Sequence, residues 1–232
     1  SGKAYAGTDS ITFTIDNTAP SVTLTNTDSD NLVSGASVVT ITATFSEAMS
    51  ATPTINITGE VSNIAMTAST TASVWIYPWT VSSTTSGIVT ATVSGADISG
   101  KAYAGTDSIT FTIDNTIPLM SAPTISSDNL TVSITLSESV FTEIINGVGS
   151  NTLLTSDFEL SLSGNSSLTL TSSSPSSISE NGTNYQLAIP FNGFANGTES
   201  LPITLSHNSI FDTAGQTSNS SHPIRLNNNL FL

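Results

Sequence analysis

Apolar residues in this chain fall mostly on alternate positions. Val39, Ile41, Ala43 and Phe45 alternate with Thr40, Thr42 and Thr44, and Ile109, Phe111 and Ile113 alternate with Thr110 and Thr112. Successive side chains of a strand point to opposite faces, so this pattern describes a strand with one face on a core and the other in water. Helical periodicity is almost absent. Shorter runs at 21–26, 53–58, 62–67, 73–81 and 88–94 bring the predicted strands between residues 19 and 116 to seven. Clusters of Gly, Pro, Asn and Ser separate them, as strand punctuation requires. Seven short strands in about 100 residues predict a β-sandwich.

The pattern also repeats. Ser1–Thr18, "SGKAYAGTDSITFTIDNT", returns letter for letter at Ser99–Thr116. Identity over this length is not coincidence, and a repeat redefines what a domain is. Residues 1–18 read as the closing strand and connector of a preceding unit, 19–116 as one complete unit, and 117–232 as a second, longer one. In the second unit "LTVSITLSES" (130–139) aligns with "VVTITATFSEA" around the shared Ser-Glu, which places Leu130, Val132, Ile134 and Leu136 on the inner face. "DTAG" (212–215) aligns with "DISG" (97–100), and the extra length is expected in loops at about 143–156 and 172–184. The connectors "DNTAPSV" (16–22) and "DNTIPLM" (114–120) each carry Thr-x-Pro. Pro fixes φ and extends its predecessor, so the connections are short and stiff.

Composition narrows the function classes. About a third of the residues are Ser or Thr, and 17 acidic residues face 3 basic ones. The net charge of −14 is spread along the chain, with no basic footprint for nucleic acid and no attraction to an anionic membrane. Cys is absent, which excludes disulfides and thiolate metal sites. No apolar run approaches the ~18–20 residues of a membrane span.

"TFSEAM", "DISGKAY…DSITFTIDNTAP" and "NSIFDTAGQT" resemble the signatures of bacterial immunoglobulin-like repeats in very large surface adhesins, including those of gliding motility. The resemblance covers essentially the whole chain. It implies tandem Ig-like β-sandwich domains, an extracellular, cell-surface location and a stalk or adhesion role, with adjacent repeats of the same chain as the first partners. The alternation and the repeat by themselves support only the sandwich and the array. A binding module, recognising a surface glycan or protein through the loops of the second unit, is the alternative.

In an Ig-like sandwich the entry to the first strand, the loop after the second strand and the last hairpin loop share one pole. That geometry predicts convergence of Asp16, Glu47 and Asp97, and likewise of Asp114, Glu138 and Asp212. Three carboxylates with little basic charge nearby repel unless a cation or protons neutralise them. Such hard oxygen donors suit Ca²⁺. The plainer alternative is that Asp97 and Asp212, each followed by x-x-Gly, make Asx-turns and bind nothing. Asp30 and Asp128 read as turn residues.

"SVWIYPWTV" (73–81) puts Trp75, Tyr77 and Trp79 on one strand face, a pattern that serves a sugar platform or a core. Alignment with "NYQLAIPF" (184–191) keeps the face apolar while its residues change, which favours the core. Catalysis finds no support: His207 and His222 lie in no triad context, and no G-x-S-x-G elbow appears. The chain is expected not to be an enzyme.

Overall fold

The computed structural model describes residues 1–4, 7–145, 148–164, 167–205, 210–218 and 221–227. Nine strands lie between Val22 and Ile113: β1 (Val22–Asn26), β2 (Leu32–Val33), β3 (Val38–Phe45), β4 (Thr54–Ile57), β5 (Val61–Ala65), β6 (Thr67–Ala68), β7 (Val74–Thr80), β8 (Gly87–Ser94) and β9 (Ser108–Ile113). Seven of them occupy the runs expected from alternation. The two additions, β2 and β6, are two residues long, too short for a period to show. They form a four-stranded sheet, β1-β3-β7-β6, and a five-stranded sheet, β2-β9-β8-β4-β5.

The C-terminal strands are β10 (Thr124–Ile125), β11 (Thr131–Thr135), β12 (Glu143–Ile145), β13 (Val148–Ser150), β14 (Phe158–Leu160), β15 (Thr169–Leu170), β16 (Ser177–Asn181), β17 (Asn184–Ala188), β18 (Phe191–Asn192), β19 (Ser200–Leu205) and β20 (Ser221–Arg225). They pair as β10-β11-β17-β16 and β14-β19-β20, with two-stranded ribbons β12-β13 and β15-β18. Among the described residues the one helical element is a 3-10 turn, Thr155–Asp157. Among the described residues no helix is long and apolar enough to cross a membrane. The architecture is all-β, of Ig-like sandwiches in tandem.

Two compact units divide the chain. One comprises Ser1–Thr25, Ile41–Tyr77 and Ala91–Ile109; the other comprises Asn26–Thr40, Pro78–Thr90 and Thr110–Leu232. This division cuts across β1, β3, β7, β8 and β9, whereas every sheet draws its strands from within 22–113 or within 124–225.

The inner faces follow the predicted alternation. Val39, Ile41, Ala43 and Phe45 are all buried on β3, with Thr40 and Thr42 half-exposed between them. Trp79 of β7 meets Phe111 of β9 edge-on, ring centroids 5.2 Å apart, which joins the two sheets of strands β1 to β9. Trp79 is therefore a core residue, while Trp75 and Tyr77 are half-buried at the other end of the strand. Trp75 donates its indole N–H to the Ala72 carbonyl (3.2 Å).

A second core joins β11 and β17 to β14 and β19 through Val132, Ile134, Tyr185, Leu187, Phe158, Leu160, Leu201 and Ile203. The ladder sets Val132 opposite Leu187 and Ile134 opposite Tyr185, so the four side chains share one face. Leu130 departs from the expected face: it precedes β11, beside the turn made by Asp128, and is 57% exposed. Both segments expected as loops contain hairpins. β12 and β13 fall within 143–156, and β16 pairs along β17 from Ser177–Ala188 to Asn181–Asn184. β16 is an exposed Ser-rich strand whose only inward apolar residue is Ile178, so it carries almost no alternation signal.

Candidate metal centres

The connectors are the first component of each site. Asp16 folds into an Asx-turn, accepting the Thr18 N–H (2.9 Å), and Asp114 does the same with Thr116 (2.9 Å). The prolines that follow, Pro20 and Pro118, are buried. Each connector is then tied to the residue before the candidate glutamate. Ser21 N–H donates to Ser46 Oγ (3.0 Å) and Ser46 N–H to the Ser21 carbonyl (2.9 Å). Leu119 and Ser137 repeat the pair at 2.9 and 2.8 Å. Ser218 Oγ adds a buried bond to the Pro118 carbonyl (2.9 Å). Glu47 and Glu138, next along the chain, are thereby placed beside Asp16 and Asp114.

The third component is a tight hairpin loop. Asp97 N–H donates to the Lys101 carbonyl (2.9 Å), and Asp212 N–H to that of Gln216 (3.0 Å). Gly100 and Gly215 close these loops at φ +87° and +80°, a region favoured by glycine. Asp97 Oδ1 accepts from the Lys101 N–H (2.8 Å) and the Ser99 hydroxyl (2.7 Å), and Asp212 Oδ1 from the Gln216 N–H (2.8 Å). The Asx-turn reading is therefore correct for one oxygen of each carboxylate. The other oxygens, Asp97 Oδ2 and Asp212 Oδ2, are buried without a hydrogen-bond partner, on residues that are 0% exposed. A buried, unsatisfied carboxylate oxygen is costly unless something neutralises it.

The three predicted positions converge in both places. Asp16, Glu47 and Asp97 each offer an oxygen within 4.8 Å of the others, as do Asp114, Glu138 and Asp212. Each triad lies inside one compact unit. Burial and the charges of Asp97 and Asp16 push the Glu47 carboxyl above its ordinary value. Burial, with Asp212 and Asp114, pushes Glu138 up to about 7. Both triads thus attract positive charge, a proton or a cation. Oxygens on opposite sides of a Ca²⁺ stand about 4.6–5.2 Å apart, so donors within 4.8 Å of each other fit one ion. The donor set is all hard oxygen, with backbone carbonyls and water to complete the ~6–8 ligands Ca²⁺ takes.

The other sequence candidates lie elsewhere. Asp30 and Asp128 accept the N–H of Leu32 (3.1 Å) and Leu130 (3.0 Å), as turn residues do. His222 stands on β20 opposite Ile203, and His207 lies outside the described residues. The sequence sets Asn115 next to Asp114 without indicating a role for it, and its side chain is bonded to three backbone groups. Its place in the repeated "DNT" was the available signal.

No protein-family model matches this chain, and no curated protein matches it. Among solved structures it is similar to a biofilm-associated protein (BSP domain), at 13% identity and a TM-score of 0.25, over 87% of this chain and 29% of that one. It is also similar to extracellular cadherin domains 3–6 of protocadherin gamma B2, at 12% identity and a TM-score of 0.35, over 91% of this chain and 52% of that one. The chain thus spans about half or less of the length of these structures.

Proposed function

We propose that this chain is a spacer segment of an extracellular, cell-surface adhesion array, with Ca²⁺ locking each connector onto the sandwich that follows it. The repeating units are residues 19–116 and 117–232, and residues 1–18 belong to a unit of the same kind. The observation that carries this reading is the buried, unpartnered Oδ2 of Asp97 and of Asp212, on carboxylates that each bring an oxygen within 4.8 Å of one from a connector aspartate and one from a glutamate. A turn alone explains Oδ1 and leaves Oδ2 at a cost. A cation satisfies Oδ2, cancels the repulsion within the triad and fastens the connector, all through one ion.

Stiffness is the function this chemistry serves. A short Thr-x-Pro connector limits bending, and an ion bound to both connector and loop limits it further. Extracellular calcium modules work at a Kd of about 10⁻⁴–10⁻³ M, which matches millimolar calcium outside cells. The role is mechanical and requires no catalytic step. The resemblance to adhesin repeats supplies the context, and the triads supply the physical reason for using such units in series.

Thermal melting of the full chain tests the proposal. An ion bound only by the folded state adds about 2.7 kcal/mol at a concentration a hundredfold above its Kd. The melting temperature is expected to rise steadily with calcium from a chelated baseline and to fall back on adding chelator. An unchanged melting temperature up to 10-fold above ~10⁻³ M calcium would overturn it.

A further inference from the structure

The geometry points to Asn115 as the positioning residue of the second triad: its side-chain amide clamps the chain immediately after Asp114, so that the carboxylate meets Glu138 and Asp212. This rests on the cation reading of that triad and adds a residue that does not touch the ion.

The clamp is complete. Asn115 Oδ1 accepts the Gly35 N–H in the turn between β2 and β3. Its Nδ2 group donates to the Ser82 carbonyl (3.0 Å) and to the Thr85 carbonyl, both in the loop between β7 and β8. All the hydrogen-bonding capacity of the amide except one acceptor lone pair is thus used on three backbone groups. The approach is close enough to need glycine at position 35, where a Cβ would sit 2.5 Å from Ser83 Cα and 2.9 Å from Asn115 Oδ1. Asp114, just past the end of β9, is also held by its own N–H, which donates to the carbonyl of Val33 in β2 (2.9 Å). Adjacent residues therefore have different tasks: Asn115 grips the loops around β2 and β7, while Asp114 presents its oxygen to Glu138 and Asp212. All these residues belong to one compact unit.

A ligand fixed by its neighbours loses less freedom on binding, and outer partners of metal ligands commonly matter about 10–100-fold in affinity. Asn17 holds the equivalent place in the first copy of the repeat, where Ile11, Phe13 and Ile15 are about 80% exposed.

The test is calcium titration calorimetry on the full chain carrying Asp97→Asn, which leaves only the second triad. Adding Asn115→Ala is expected to weaken binding about tenfold or more. Asn115→Asp keeps an acceptor for Gly35 but loses both donors, and it places a further negative charge beside the triad. A positioning role predicts weaker binding for this variant too, whereas a residue acting through charge alone predicts tighter binding. Unchanged or tighter binding in Asn115→Asp would overturn the inference, and this variant decides the matter if Asn115→Ala does not fold. Absence of binding in the Asp97→Asn parent would instead overturn the cation reading on which the inference depends.

Discussion

Asp97 and Asp212 make the same turn with different neighbours, and the difference shows in their acidity. Burial raises the Asp97 carboxyl, but the Ser99 hydroxyl and the N–H groups of Lys101, Ser99 and Gly100 outweigh it and leave it below its ordinary value. Ala214 stands where Ser99 does and has no hydroxyl to give. Asp212 stays raised by burial, the Gln216 N–H notwithstanding, with Asp114 adding to the rise. The strain of the second triad falls on Glu138, pushed from 4.5 to about 7. A carboxyl raised on folding is a proton acceptor in the native state. In chelator its contribution to stability is full below pH 4.5 and is lost as pH rises through about 7. The chelated chain is therefore expected to melt lower at pH 7.5 than at pH 5, and Glu138→Gln should flatten that slope. Calcium should reverse it, because the ion replaces the proton. Melting curves at the two pH values, with and without calcium, check both signs. The six acidic positions were legible in the sequence because they recur at matching places in two units. The orphaned Oδ2 atoms were not, since which oxygen a turn consumes depends on backbone geometry that no residue type encodes.

At the scale of elements, the repeated eighteen residues are an internal control. Phe111 is fully buried on β9 against Trp79, while Phe13, in an identical local sequence, is 80% exposed. Propensity and local pattern are the same at both positions, so the difference is tertiary: β9 lies between β2 and β8. Removing a buried Phe side chain costs about 3–5 kcal/mol, and an exposed one within about 0.5 kcal/mol of nothing. Phe111→Ala should therefore lower the denaturation midpoint strongly and Phe13→Ala hardly at all, as urea unfolding will show. Equal effects would mean that the first copy is also packed. Strict alternation made β3, β9 and β11 legible before any coordinates. The two-residue strands and the serine-rich β16 were illegible for the same reason, since an edge strand that buries one side chain has no period to display. Leu130 misled because alternation was extended one residue ahead of β11, onto the residue whose N–H the Asp128 turn takes, and there the side chain is exposed.

At the scale of the whole molecule, the claim is that a chain with few charges of one sign concentrates six of its 17 carboxylates into two small clusters at equivalent places in consecutive units. Without a counter-ion the carboxylates of each cluster repel one another. Under the proposed calcium binding, the ion would fasten a connector that Pro and backbone bonds already place. The repeat and the sandwich class were legible in the sequence. Isothermal titration of calcium into the full chain tests the clusters most directly, compared with the Asp97→Asn and Asp212→Asn variants. Two ions per chain, falling to one in each variant, is the expected result. No saturable binding at millimolar calcium, or a stoichiometry that neither substitution alters, would contradict it.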